Sequence, residues 1–291
     1  MRRVDASLAA AAFFGLDTSK RVSVQDLQRA GSLAARYSKV LIGTRPFTRP
    51  FFAALSTPGR TSVGVKRSVK LSVLIWRAVA LSLLHDPVGL AVPLEWVRRT
   101  RPSAEFKFTS DAGPEGLGLV IGLVLGPLLG SLSYRLPFAA VDPKYQNLRE
   151  FTGCILGMLV AYRFAKGRPV AVWWVSDNVS ALSWARADAV KSRPAQAAFL
   201  IFTWLKIRGQ ISLVRQSHMP GVEMGDVDAL SRFRVTQSLS PDIDLAQIFP
   251  RLAFDALFDK CAPPVKGSQL RCWKSLLIEL IKLIDACLVK W

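Results

Sequence analysis

Residues 106–135 read FKFTSDAGPEGLGLVIGLVLGPLLGSLSYR, and the fold depends on how this stretch is parsed. Its uncharged part, residues 116–134, is 19 residues long and reaches the length of a membrane-spanning helix. It also contains five glycines and Pro127, which weaken a helix in water but are tolerated in a membrane. The flanking sequence decides between the two. Phe106, Phe108 and Ser110 alternate with Lys107 and Thr109, the period-two pattern of a strand, which ends at Asp111. Residues 116–125 and 128–136 then parse as two further apolar strands turned at Gly126-Pro127. The expectation is an antiparallel three-strand meander, not a membrane span.

Downstream the pattern alternates. A helix is expected over 147–166, then a short β-rich run at 170–176, VAVWWVS, stopped by Asp177-Asn178. Helices over 178–190 and 194–208, a strand over 211–215 and a helix over 222–231 complete the order β-β-β-α-β-α-α-β-α. Trp173 and Trp174 are adjacent on one strand and so face opposite ways, and core packing is expected for both. Upstream, residues 24–41 form a helix with Leu27, Ala30, Gly31, Ala34 and Ala35 as an apolar stripe. Residues 44–50, TRPFTRP, read as a turn and 57–67 as an exposed basic loop. Residues 69–84 read as a buried helix, too short and too interrupted by Arg77 to span a membrane. The tail runs to a helix over 273–291 with Leu277, Ile281, Ile284 and Leu288 on one face. Three regions follow: 1–100, basic and mainly helical; 101–235, α/β; and 236–291, a helical tail.

Composition narrows the function. The 291 residues carry 39 Lys+Arg against 21 Asp+Glu, a net charge of +18, which favours a polyanionic partner. The excess is uneven: +11 over residues 1–100, +5 over 101–232 and +2 over 233–291. With 51% hydrophobic residues the chain can bury a core, so global disorder is excluded. The four cysteines show no CxxC spacing and there are only two histidines, which argues against a zinc module and a disulfide scaffold. The N-terminal MRRVDASLAAAAFFGL has two arginines before an apolar stretch, but Asp5 interrupts it. It reads as an Ala-rich helix and not as a targeting signal, so an intracellular location, nucleus or cytoplasm, is expected.

Four acids stand out by position. Asp111 ends the first strand, Glu150 lies in the first turn of the first long helix, Asp177 ends VAVWWVS, and Asp228 begins the last short helix, with Asp226 just before it. Strand ends and helix starts can converge at one edge of a sheet. Carboxylates gathered there repel one another unless cations sit between them, and hard oxygen ligands suit Mg²⁺. Two such ions serve in-line attack on a phosphodiester. Each acid also fits a purely structural role: Asn147 and Glu150 have capping-box spacing, Asp177-Asn178 suits a turn, and Asp226 or Asp228 suits an N-cap.

The motifs carrying these acids bear a resemblance. SDAGPEGLG looks like a TDAS-x-x-G-x-G opening, QNLRE like N-x-x-E, and VSDNVSALSW like a strand-terminal DN followed by an apolar helix. HMPGVEMGDVDALSR looks like a closing H-x-P-G-x-x-N-x-x-A-D-x-L-S-R. In this order, over residues 106–232, they resemble the ribonuclease H domain of retroelement reverse transcriptases, DIRS-like elements above all, with gypsy-like and pararetroviral ones similar. Ser110 stands for the family's Thr, Gly113 for its Ser, Met224 for the Asn that braces the last loop, and Val227 for its Ala. Less specifically, RVSVQDLQRAGSLAARYSKVL and TRPFTRPFFAAL resemble the thumb and connection of the same polymerases. No YxDD pair occurs, so the palm is absent.

The resemblance implies an α/β, ribonuclease H-like mixed sheet with flanking helices: three antiparallel strands, then parallel strands, behind a small mainly helical region. It implies Mg²⁺-dependent cleavage of the RNA strand of RNA–DNA hybrids, with two ions and Mn²⁺ as a substitute. Asp111, Glu150, Asp177 and Asp228 would be the metal-binding catalytic carboxylates and His218 a loop histidine assisting exchange. Asn147 or Gln146 would donate to a 2′-OH, and Arg45, Arg49, Arg60, Lys66 and Arg67 would track phosphates. The partners would be the hybrid and the polymerase part of the same element, with no membrane. Met224 supports the alternative of a decayed or domesticated nucleic-acid-binding module of the same fold.

Overall fold

The computed structural model describes residues 11–19, 21–39, 41, 44–56, 59–85, 103–114, 116–136, 145–187, 195–234, 241–261 and 273–288. The chain divides into two compact units, Met1–Val97 and Arg98–Trp291.

In the first unit, β1 (Arg21–Ser23) pairs antiparallel with β2 (Ser62–Gly64), so part of the expected basic loop is a strand. Helix α1 (Val24–Tyr37) starts at Ser23, whose side chain accepts the Asp26 N–H, and buries Leu27, Ala30, Gly31 and Ala34. It stops short of the expected end, with Ser38 as its C-cap. The TRPFTRP segment is not a turn. It forms a short 3₁₀ helix, Arg45–Phe47, and the start of α2 (Arg49–Leu55), because its prolines stand second in each helix, within the first turn, where a missing N–H costs nothing. Arg77, in the middle of apolar α3 (Arg67–His85), donates to the backbone carbonyls of Phe13 and Leu16, which explains a charge in that run.

The second unit is built on a five-stranded sheet of order β5-β4-β3-β6-β7: β3 (Phe106–Ala112), β4 (Gly116–Leu123), β5 (Leu128–Arg135), β6 (Val170–Ser176) and β7 (Ile211–His218). β3, β4 and β5 are antiparallel, and β6 and β7 run parallel to β3. This is the mixed α/β sheet expected from the sequence, three antiparallel strands followed by parallel ones. Residues 116–134 are thus two strands, closed by the Leu123 N–H donating to the Pro127 carbonyl at 3.1 Å. Among the described residues no helix is long and apolar enough to cross a membrane.

Alternation along the strands separates two faces. On one lies α4 (Gln146–Phe164), with α5 (Val179–Ala187) and α6 (Gln196–Arg208) following in the chain. Residues 148–162 of α4 are all buried. Its Gly157 lies so close to the sheet that a Cβ there would stand 2.2 Å from the Phe108 ring. On the other face lies α7 (Gly225–Ser231), preceded by the 3₁₀ turn Gly221–Glu223. The expected single helix over 222–231 is therefore split at Met224. The tail helices α8 (Leu245–Ile248), α9 (Arg251–Asp259) and α10 (Trp273–Cys287) join the same unit. The Tyr134 hydroxyl donates to Asp255 at 3.1 Å, that of Tyr162 to the Leu288 carbonyl at 3.2 Å, and Arg208 pairs with Asp285.

The two tryptophans differ. Trp174 is fully buried and donates to Ser110 Oγ at 2.9 Å. Trp173 is not core: it is half-buried, donates to Ser217 Oγ, and lies under the Arg215 guanidinium at 3.9 Å and the Lys107 ammonium at 4.9 Å. The alternation was read correctly, but no described helix covers this part of the outer face; cations on neighbouring strands cover the ring instead.

Candidate active site

β3 and β6 are hydrogen-bonded neighbours in parallel register, so their carboxyl ends stand side by side and carry Asp111 and Asp177 to one edge. The first turn of α4 brings Glu150 to the same point. Its approach depends on Gly153 and Gly157, over which Ser110 and Phe108 pack without an intervening side chain. Asp111, Glu150 and Asp177 each offer a carboxylate oxygen, and these oxygens lie within 4.8 Å of one another.

The neighbours hold these groups in place. The Gln146 amide donates to the Ala112 carbonyl and to Glu150 Oε1, both at 2.8 Å, and its own carbonyl accepts from Arg149. Gln146 therefore braces Glu150, and both of its amide hydrogens are used. Asn147 accepts from Asn178 Nδ2 at 2.9 Å, so its own amide N–H₂ takes no part in that bond and, unlike that of Gln146, can donate elsewhere. Neither Asn147 nor Glu150 caps α4, which begins at Gln146 behind Tyr145, and neither Asp226 nor Asp228 caps α7. Asn178 does play the structural part, accepting the Ala181 N–H at the head of α5. The capping roles open to Glu150 and Asp228 in the sequence are thus removed by the geometry.

Electrostatics mark the cluster as strained without a counter-charge. Burial raises the Glu150 carboxyl well above the ordinary range, and the charges of Asp111 and Asp177 push it further. Glu150 is 2% exposed, and its Oε2 is buried with no hydrogen-bond partner. Burial also raises Asp111, with Asp177 and Asp228 adding, against hydrogen bonds with Ser231 and the Ala112 backbone. A buried carboxylate oxygen with no donor, beside two like charges, needs either a proton or a cation. The donor set is all oxygen, as hard divalent ions prefer, so the residues present fit Mg²⁺ or Mn²⁺.

A pH signature follows. The folded chain favours protonated Glu150, so without divalent ions its contribution to stability falls as pH rises from about 4.5, the ordinary glutamate value, toward the raised one. Thermal unfolding in EDTA between about pH 5 and 8 should show this decline in the wild type, and Glu150→Gln should flatten it. Mg²⁺ should restore wild-type stability at the alkaline end and do little for the variant. Parallel pH curves for the two proteins would show that Glu150 does not carry the effect.

The remaining expected site residues are placed as follows. His218, exposed, ends β7 in register with Ser176, the residue before Asp177. The loop after it passes that acid: the Met219 N–H donates to the Ser176 carbonyl at 3.2 Å, and a Cβ on Gly221 would lie 3.3 Å from Asp177 Oδ2. Met224 is 2% exposed, and its backbone N–H donates to the Gly221 carbonyl at 3.0 Å. Asp228 is near enough to raise Asp111 but stands outside the cluster, paired with Arg232 at 2.8 Å. Arg45, Arg49, Arg60 and Lys66 are exposed on the first unit; Arg67 opens α3, and its side chain lies outside the described residues.

Sequence reasoning missed Ser231 against Asp111, Arg232 on Asp228 and the close-approach glycines. One signal was available, because Asp228 and Arg232 are four apart and so adjacent on a helix. Gly153 and Gly157 join α4 to β3 across roughly 45 residues of sequence, and Gly118 of β4 meets Val227 and Ser231 of α7 across roughly 110, so neither contact leaves a local pattern.

No protein-family model and no curated protein matches the chain. Among solved structures, LC11-RNase H1, isolated from compost by a metagenomic approach, is similar at 18% identity over 47% of this chain and 99% of its own, with a TM-score of 0.35. The same enzyme in complex with RNA/DNA hybrid gives 17% identity over 46% and 99%, with a TM-score of 0.36. A foamy viral protease-reverse transcriptase in complex with double-stranded DNA gives 14% identity over 73% of this chain and a TM-score of 0.29; this chain spans about a third, 34%, of its length.

Proposed function

We propose that the chain is a Mg²⁺-dependent endoribonuclease that cuts the RNA strand of RNA–DNA hybrids. The observation that carries this reading is the convergence of Asp111, Glu150 and Asp177 at one sheet edge, with a buried Glu150 oxygen left without a partner. The order of the four motifs along residues 106–232 supports the choice of a hybrid as substrate and a reverse transcriptase as context. In this reading the chain works with the polymerase part of the same element. Mn²⁺ would substitute for Mg²⁺.

Asp111 and Asp177 would hold the ions, Glu150 would ligate on the side of the attacking water, and Asp228 would complete the set. When bound, divalent cations activate water and neutralise charge building on the phosphate and the leaving 3′ oxygen. The protein's own contribution is to hold the Asp111, Glu150 and Asp177 oxygens together on rigid elements, two strand ends and one helix start, with Gln146 bonded to Glu150. The Asn147 amide would donate to a 2′-OH, which distinguishes RNA from DNA. His218, exposed beside Asp177, would assist the exchange of ions or product. The test is release of RNA fragments from a hybrid in Mg²⁺ with the DNA strand left whole; intact RNA after long incubation would refute the activity.

The basic first unit would supply affinity through phosphates. Each phosphate contact contributes a slope of roughly −0.9 in log K against log salt for duplex DNA. Replacing Arg45, Arg49, Lys66 and Arg67 with Ala should flatten the salt dependence of hybrid binding by about two to four units. Turnover at saturating substrate should change little. An unchanged slope would assign these charges to a solvated surface.

A further inference from the structure

Asp228 is the acid that the carboxylate cluster leaves out, and its neighbour one helical turn on supplies the reason. Arg232 Nε donates to Asp228 Oδ1 at 2.9 Å and Oδ2 at 3.1 Å, and Nη2 donates to Oδ1 at 2.8 Å. Both carboxylate oxygens are therefore taken by one guanidinium fork. The pair is not remote from the cluster. Asp228 contributes to raising Asp111, and Asp111 in turn acts on Arg232, which its hydrogen bonds to Asp228 already hold above the ordinary arginine range. Both partners are 44% exposed, so the bridge is cheap to open. A buried bridge at this point would not exchange. The guanidinium does not lose its charge in the physiological range, so only another cation can release Asp228.

Resting on the metal-site reading above, we propose that Arg232 is a positioning residue, a built-in cation that holds Asp228 until a second divalent ion displaces it. The first ion goes to Asp111, Glu150 and Asp177, none of which is held in an ion pair among the described residues, although Arg149 and Arg232 act electrostatically on Glu150 and Asp111. The second requires Asp228 and must outcompete the guanidinium, so Arg232 sets the concentration of Mg²⁺ at which the four-carboxylate set is complete.

The experiment is calorimetric titration of Mg²⁺, and separately Mn²⁺, into the full chain without nucleic acid. The wild type should show a tighter event that Asp111→Asn removes and a weaker one that Asp228→Asn removes. Arg232→Gln should tighten the weaker event roughly two- to fivefold, the scale of an exposed ion pair, and leave the tighter one unchanged. Arg232→Lys should fall between, because an ammonium cannot fork both oxygens, and it serves as the second variant if the Gln form does not fold. Weaker events of equal affinity in wild type and both variants would overturn the role of Arg232 while leaving the metal site standing. A wild type that takes up no ion would instead overturn the metal-site reading, and this inference with it.

Discussion

Asp111→Asn should lose hybrid cleavage by roughly three orders of magnitude or more, the scale seen when one member of a cooperating catalytic set is removed. The substitution keeps the volume and one oxygen but removes the charge that a divalent ion needs. The fold should survive, because Asp111 lies at the end of β3 and its neighbours Ser110 and Ala112, not Asp111 itself, face α4. The metal-free variant should also be more stable than the wild type. Burial and the charges of Asp177 and Asp228 all disfavour the ionised form of Asp111, and Asn escapes that cost. The gain should appear as an unfolding midpoint above that of the wild type in EDTA at neutral pH. Lost activity together with raised stability marks a group held for function against the preference of the fold. A residue needed only for structure would lose both. Cleavage equal to wild type in Mg²⁺ would remove Asp111 from the site.

Gly118→Ala should be among the most damaging single methyl additions in the second unit. Gly118 pairs with Asp111 across β3 and β4. A Cβ there would stand 2.2 Å from the Val227 carbonyl oxygen and 2.7 Å from the Ser231 nitrogen, both backbone atoms of α7. No rotamer relieves such a clash, so the helix must move, at a cost of about 3 kcal/mol and a drop in midpoint of roughly 6–12 °C. Because α7 carries Asp228 and Ser231, activity should fall even at temperatures where the variant is folded. Gly64→Ala is the control: nothing lies within 4 Å of its added methyl, and it should change neither property. A Gly118→Ala protein as stable and active as the control would mean that α7 does not sit this close to the sheet.

These two positions show what the sequence made legible. Strand alternation around Phe106 and Phe108 and the flanking motifs were enough to turn residues 116–134 from a membrane span into β4 and β5. Asp111, Glu150 and Asp177 could be picked out because each stands beside a strongly periodic segment and the motifs around them come in a fixed order. Asp228 was found by the same rule, but its state was not, since its oxygens answer to Arg232 and not to the other acids. The misses have local causes. TRPFTRP looked like a turn because proline's preference for a helix start is indistinguishable from its preference for a turn until the following residues are placed. Core packing was expected for Trp173 on either face of its strand, and only the neighbouring strands show that Lys107 and Arg215 cover it. The burial of Met224 likewise depends on packing that no local pattern in the sequence marks.

The central claim is that Asp111, Glu150 and Asp177 form a divalent-cation site serving RNA cleavage. Its most direct test is the anomalous scattering map of crystals of the full chain grown with Mn²⁺ and a hybrid whose RNA strand carries a non-cleavable linkage. The account predicts a peak at coordination distance from oxygens of all three residues, with a scissile RNA phosphate beside it. Manganese bound elsewhere, or an Arg or Lys side chain filling the space between the three carboxylates, would contradict it.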